Sequence, residues 1–571
     1  MVAVAAVVVA LVPAPMLGAD IVDLQPFKGV STARVSVGPS AGATLTLINL
    51  NPEVGVWFVL EVVPAAGKRQ RYHLENPARA VQSVSLDERF PESLVLSNPD
   101  GVSTCNVLEK RDGKQPELET ARAAKDPYVP ICGGRLYLLN KTEGHESKKE
   151  RAVEFLRSYV WGGERITTFA KEAYFKDSEL LSSEVLQGEP TPPEKAVVPA
   201  AGAPVPALLD AAYSQASLTP TDFGIELEGV PSGKPMLAGV WHRAANDPDV
   251  FFSLIEPRLV DKRILSSRLD RVGRLDRVES AALTYLVAFD LSAFEVAYAL
   301  GTEHPRLTWA PKTPTKMRDS HLPGPDGIGT IEPLVSTGMV PPGVRSRVSA
   351  AFTSGFKREH GAFMYGPLAA INHASHYGFI ANGVVFSALQ PGLATIIVRS
   401  DGQLELKTWT EADNASLSTI RHARQNGVAL IDTDAQTGAP EPGPYVNQWG
   451  AGNWSGSVEG EQRALRSGLC LQEVEGRRYL IYGYFSSVTP SAMARVFQAY
   501  RCQYALHLDM NALEHTYLAL YHDQSTSFAV EHLITGMNVL DAVVGGRVAP
   551  RFVAEPDNRD FFYVWRKGRA Q

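Results

Sequence analysis

Dense runs of positive charge, closely spaced cysteines and a second long apolar stretch are all missing from this 571-residue chain. Each absence removes a class of function. The formal net charge is −7 and no dense Lys/Arg run occurs, so the electrostatic footprint of a nucleic-acid binder is missing and nucleic acid is not an expected partner. The four cysteines show no Cys-x-x-Cys spacing, so neither a structural zinc site nor a thioredoxin-like redox motif is indicated. Glu359-His360, Glu514-His515 and Glu531-His532 do not complete the His-Glu-x-x-His helix of zinc proteases. No internal repeat runs at solenoid or propeller periods.

What is present describes a folded, exported chain. Hydrophobic residues at 44% and charged residues at 20% are ordinary for soluble globular proteins. Residues 1–19 are apolar, carry no charge and end in Leu17-Gly18-Ala19, the h-region and small-residue end of a secretory signal without its basic n-region. An uncleaved anchor is the alternative, and with it the one route to a membrane. The expected location is extracytoplasmic, either periplasmic or secreted. In an oxidising compartment the four cysteines allow three connectivities, of which one local pair in each half, Cys105 with Cys132 and Cys470 with Cys502, is the simplest; four buried free thiols are the alternative.

Residues 20–185 read as a β-rich domain: Thr44-Leu45-Thr46-Leu47-Ile48 and Val56-Trp57-Phe58-Val59-Leu60 are β-branched, aliphatic and aromatic runs. Within it, apolar residues at helical spacing over 146–176, interrupted by Gly162-Gly163, predict a helical hairpin. A Pro/Ala-rich linker over 186–216 and an intermediate α/β region over 217–343 follow. From 344 to 571 short apolar strands alternate with Gly/Asn turns, and Thr489-Pro490 opens a helix that runs to Tyr500. The expected class is α+β, with helices packed on a mixed or antiparallel sheet.

Five blocks of the C-terminal half occur in a telling order: Ala351-Phe352-Thr353-Ser354-Gly355-Phe356-Lys357, Asn382-Gly383-Val384, the strand-hairpin 393–402, Arg466-Ser467-Gly468, and the helix-strand unit ending Leu506-His507-Leu508-Asp509. In that order residues 345–521 resemble the phosphodiester glycosidase family, to which the lysosomal uncovering enzyme belongs. The resemblance implies an exported hydrolase that cleaves a sugar-1-phosphate diester in an envelope or extracellular glycan, with Asp509 delivered by the last strand. Two points depart from the family pattern. Thr353 stands where many members have Asn, and Met510-Asn511-Ala512-Leu513-Glu514 follows Asp509 in place of a Gly-rich loop that would bring backbone N–H groups to an anion.

Cleaving a sugar–phosphate bond needs a carboxyl group near the anomeric centre, which makes Asp509 the first catalytic candidate and Glu514 the second. The bland reading of Asp509 is a turn cap supported by Asn511. Arg466 is the candidate for a bidentate grip on phosphate, with a surface salt bridge as its alternative. Thr353, Lys357, His360, Asn511 and Trp454 are candidate substrate-binding residues, and Trp449 shares the Gly-rich surroundings of Trp454. His373 and His376 lack a third ligand, so no metal is expected, and no cofactor is called for. The competing reading is a non-catalytic glycan-binding or structural envelope protein on the same fold.

Overall fold

The computed structural model describes residues 29–34, 42–50, 52, 55–108, 115–124, 126–140, 144, 202–302, 338–356, 378–447, 463–524, 527–544 and 546–568. Residues 1–19 and the helical hairpin expected at 146–176 lie outside the described residues, which contain no helix long and apolar enough to cross a membrane.

The centre of the fold is an antiparallel eight-stranded sheet in the order His242–Arg243, Val250–Ile255, Thr284–Asp290, Arg477–Val488, Ala464–Val474, Tyr504–Met510, Ala429–Thr433, Pro440–Pro442. Thr284–Asp290 and Tyr504–Met510 are buried at every position; the first reads as a near-continuous apolar run, whereas the second carries His507 and Asp509 into the interior. Adjacent residues on one strand show what covers each face. Gly483 lies under the helix Pro490–Ala499: a Cβ built there would stand 3.3 Å from the Phe497 ring, and one at Gly468 would stand 2.9 Å from the Met493 methyl. Tyr482 points the other way, its ring 5.4 Å from Phe352 in a second, five-stranded sheet.

That second sheet runs Phe294–Ala299, Phe561–Arg566, Val348–Thr353, Leu518–Gln524, Ser527–His532. Its aromatic strand Phe561–Arg566 pairs antiparallel with two neighbours. A third sheet carries Ile420–Gln425 between Phe379–Ala381 and Ala394–Arg399. The helix begins as Thr489-Pro490 predicts: the Thr489 hydroxyl accepts from the Ala492 N–H at 3.3 Å and donates to buried Glu279 at 2.8 Å.

The expected α+β class is corrected by these sheets: the described chain is predominantly β. One ten-residue helix covers one face of the central sheet, and the other described α-helices have seven residues or fewer. The opposite face is covered by another sheet, and helices that short contribute little of their own because most of their length is needed for nucleation. Within the intermediate region expected to be α/β, residues 284–290 and 294–299 form the strands Thr284–Asp290 and Phe294–Ala299.

Both cysteine pairs are disulfides, Cys105–Cys132 and Cys470–Cys502. The first ties Gly101–Asn106, an edge of a three-stranded sheet, to the N-terminal six-stranded sheet at the end of Tyr128–Ile131. The second ties Ala464–Val474 to the turn that follows the helix. Residues 202–216 run along the central unit, where the Val205 N–H donates to Gln472 at 2.8 Å and the Leu208 N–H to the Ala499 carbonyl at 2.8 Å. Trp57 of the N-terminal sheet meets Phe386 edge-to-face at 5.9 Å.

Glu75 ends one strand of the N-terminal sheet and receives a hydrogen bond from the Tyr128 hydroxyl at 2.7 Å. Burial raises its pKa from 4.5 to about 7, against the downward pull of that hydrogen bond. The fold therefore favours the protonated carboxyl: its stabilisation is complete below 4.5 and is lost as pH rises through about 7. Glu75→Gln is expected to flatten this loss and to exceed the parent by about 1–3 kcal/mol at about pH 8. Denaturant unfolding on both sides of the window checks it; parallel pH profiles would refute the assignment.

Candidate functional site

The strand Tyr504–Met510 delivers Asp509 to the end of the central sheet, where Asn511 takes a left-handed φ of 78° and the chain folds back. The reversal is held by the His515 and Thr516 N–H groups, which donate to the Ala512 carbonyl at 3.0 and 3.1 Å. It places His515 with Nδ1 2.7 Å from the Met510 carbonyl and 3.8 Å from Asp509 Oδ1. Glu514 Oε1 lies 3.9 Å from His515 Nε2. A carbonyl only accepts, so Nδ1 carries the proton in this hydrogen bond, and in the neutral ring Nε2 carries the lone pair.

Blocks far apart in sequence meet here. The Thr353 hydroxyl donates to the His515 carbonyl at 2.6 Å, joining the end of Val348–Thr353 to the reversal. Asn426 accepts from the Phe356 N–H at 3.1 Å and donates to the His507 and Leu508 carbonyls. Gly355 makes this bridge fit: its φ is 139°, and a Cβ would stand 2.6 Å from Asn426 Oδ1. Arg424 donates to the Phe356 carbonyl at 2.6 Å, and the Ser354 N–H donates to the Asp560 carbonyl at 3.1 Å.

Asp509 itself is 4% exposed, and both of its oxygens are engaged. Oδ1 accepts from the Met510 N–H at 2.8 Å and Oδ2 from Arg559 Nη1 at 2.9 Å. Arg559 is set in turn by Asp557, which accepts its N–H at 2.9 Å and chelates Arg551. Asp560, the next residue, accepts from the Tyr298 hydroxyl at 2.6 Å and the Gly301 N–H at 3.0 Å.

Asp509, Thr353 and Glu514 are thus brought together, joined by His515. Arg466 lies in the interior at 0% exposure, donating to the Val488 carbonyl at 2.9 Å and approaching Met510 Sδ at 3.2 Å and His507 Nε2 at 3.4 Å. Burial pushes its guanidinium down to about 9, only partly offset by the charge of Glu279, and drives the buried His507 imidazole well below its usual range. Asn511 makes the turn, its N–H donating to the Leu465 carbonyl at 2.8 Å. Lys357, His360 and Trp454 lie outside the described residues, as do Trp449, His373 and His376. Among the described residues one group has metal-ligand spacing, Cys105, Glu117 and Cys132, and its two sulfurs are joined in the disulfide.

Sequence reading missed Arg559, Asp560, Asn426 and Arg424. The signal for the first two was the polar run Asp557-Asn558-Arg559-Asp560 directly before the aromatic strand Phe561–Arg566. A cavity of about 350 Å³, lined by Phe294, Glu295, Asp401, Arg477, Arg478 and Lys567, lies elsewhere. Arg466 pairs with Met510 whereas Val474 pairs with Arg477 at the far end of the hairpin, so the cavity stands about 25 Å from Asp509 at the strand rise per residue.

No family model matches the chain. No curated protein matches it. Among solved structures, the zebrafish N-acetylglucosamine-1-phosphodiester alpha-N-acetylglucosaminidase catalytic domain, auto-inhibited by its pro-peptide, is 12% identical with a TM-score of 0.29, covering 66% of this chain and 99% of that one. A protein of Burkholderia pseudomallei K96243 described as exported is 10% identical with a TM-score of 0.20, covering 50% and 74%. At these identities and TM-scores the chain has a weak likeness in fold to each.

Proposed function

We propose that the chain is an exported hydrolase of sugar-1-phosphate diesters whose proton-transfer group is His515. The observation that carries this reading is the convergence of the Thr353 block and the Asp509 strand on one histidine, the Thr353 hydroxyl 2.6 Å from its backbone carbonyl and the Asp509 carboxylate 3.8 Å from its ring. With Nδ1 bound to the Met510 carbonyl, Nε2 is the atom that takes a proton from water or returns one to the leaving oxygen. Asp509 stabilises the imidazolium so formed; with both oxygens engaged it acts as a positioning residue rather than as the acid. Glu514, 13% exposed at the side chain, is the second carboxylate of the site. The disulfides fit an oxidising, extracytoplasmic compartment.

A second reading, a non-catalytic glycan-binding relative, is favoured by the burial of Asp509 against Arg559 and by a cavity at the other end of the sheet. Two experiments separate them. Full-length protein is expected to hydrolyse members of a panel of sugar-1-phosphate diesters, and His515→Gln to lose about 10²–10⁴-fold in kcat while keeping its fold. No turnover by the parent, with glycan binding intact, would favour the second reading. Arg559→Met is expected to cost about 3–5 kcal/mol by leaving Asp509 charged and buried, and adding Asp509→Asn to recover much of that loss. Thermal and denaturant unfolding of the single and double variants reads this out; simple additivity would rule out the coupling.

A further inference from the structure

Among the described residues nine large apolar side chains are exposed, and four of them fall within residues 539–548: Val539 at 76%, Val543 at 71%, Val544 at 46% and Val548 at 65%. The last three belong to the two-stranded hairpin formed by Ala542–Val544 and Arg547–Ala549. Val543 pairs with Val548, and Val544 with the exposed Arg547. Directly opposed residues share a face and successive ones alternate, so apolar side chains meet solvent on both faces of this ribbon.

The base of the hairpin is anchored beside the site. Asp541 accepts from the Arg551 N–H at 3.0 Å and lies 3.1 Å from His532 Nε2, and Arg551 donates to the Glu514 carbonyl at 3.0 Å.

We propose that hairpin 542–549 is a docking tip for an anionic lipid surface, presenting the 511–516 reversal toward that surface. Apolar groups on both faces suit immersion in the headgroup boundary, whereas a protein partner seated on the ribbon would cover one face. Arg547 supplies the complementary charge at the tip. The chain as a whole carries −7, which gives an anionic surface no general attraction for the body, so the contact rests on the apolar hairpin side chains together with Arg547. The docking surface is independent of whether His515 turns over a substrate.

The test is flotation of the full-length protein with vesicles of phosphatidylcholine mixed with phosphatidylglycerol, and with phosphatidylcholine alone. The parent is expected to float with the mixed vesicles. A Val543→Ser, Val544→Ser, Val548→Ser triple variant that melts like the parent is expected to lose about tenfold or more in bound fraction. Arg547→Glu is expected to lose about fivefold or more on mixed vesicles and little on phosphatidylcholine. The proposal is overturned by absence of flotation, by flotation that the triple variant retains, or by a parent that ignores vesicles yet forms a dimer in ultracentrifugation that the triple variant breaks.

Discussion

The central sheet is buried on both faces, beneath the helix Pro490–Ala499 on one side and the aromatic sheet on the other, so every polar side chain on its inner strands must be satisfied inside the protein. Glu279 caps the helix start through Thr489, Tyr482 donates to the Thr516 carbonyl at 2.7 Å, and Arg466 spreads its guanidinium over a carbonyl, a thioether and an imidazole. The candidate site grows from the same requirement: Asp509 is the last charged side chain of a fully buried strand, and it is matched by a guanidinium from fifty residues further along.

A buried ion pair is a poor source of stability, because removing two charges from water costs several kcal/mol before their attraction is counted. The Asp509–Arg559 pair is better understood through its consequences for position. It locks the segment 557–560 against the end of the central sheet, and Asp560 from that segment in turn receives Tyr298 and Gly301 while its backbone receives Ser354. One charge pair thereby registers three strands of two sheets around the 511–516 reversal. The reversal depends on it for orientation, since Arg551, held by Asp557, also reaches the Glu514 carbonyl.

Much of the local structure was legible. The Thr489-Pro490 start and a strand carrying Asp509 at its end follow from short-range chemistry and are present, and of the cysteine arrangements left open the simplest, one pair in each half, is the one formed. The α+β expectation did not survive, because apolar runs between 269 and 300 have no period that separates a buried strand from a helix. Arg466 was read as a bidentate grip on phosphate, with a surface salt bridge as the alternative; it lies inside the strand Ala464–Val474 at 0% exposure. Nothing local to an arginine reveals which side of a sheet will be covered.

The sequence by itself determined the elements: turns at Gly and Asn, the capped helix, and an aspartate at a strand end. Only the tertiary structure decided which distant residues meet it. Arg559, Asn426 and Thr353 are separated from Asp509 by fifty to more than a hundred and fifty positions, and are joined to its surroundings by hydrogen bonds that depend on sheet register. Register is set by which faces become buried across the whole fold, a cooperative outcome that no window of neighbouring residues contains.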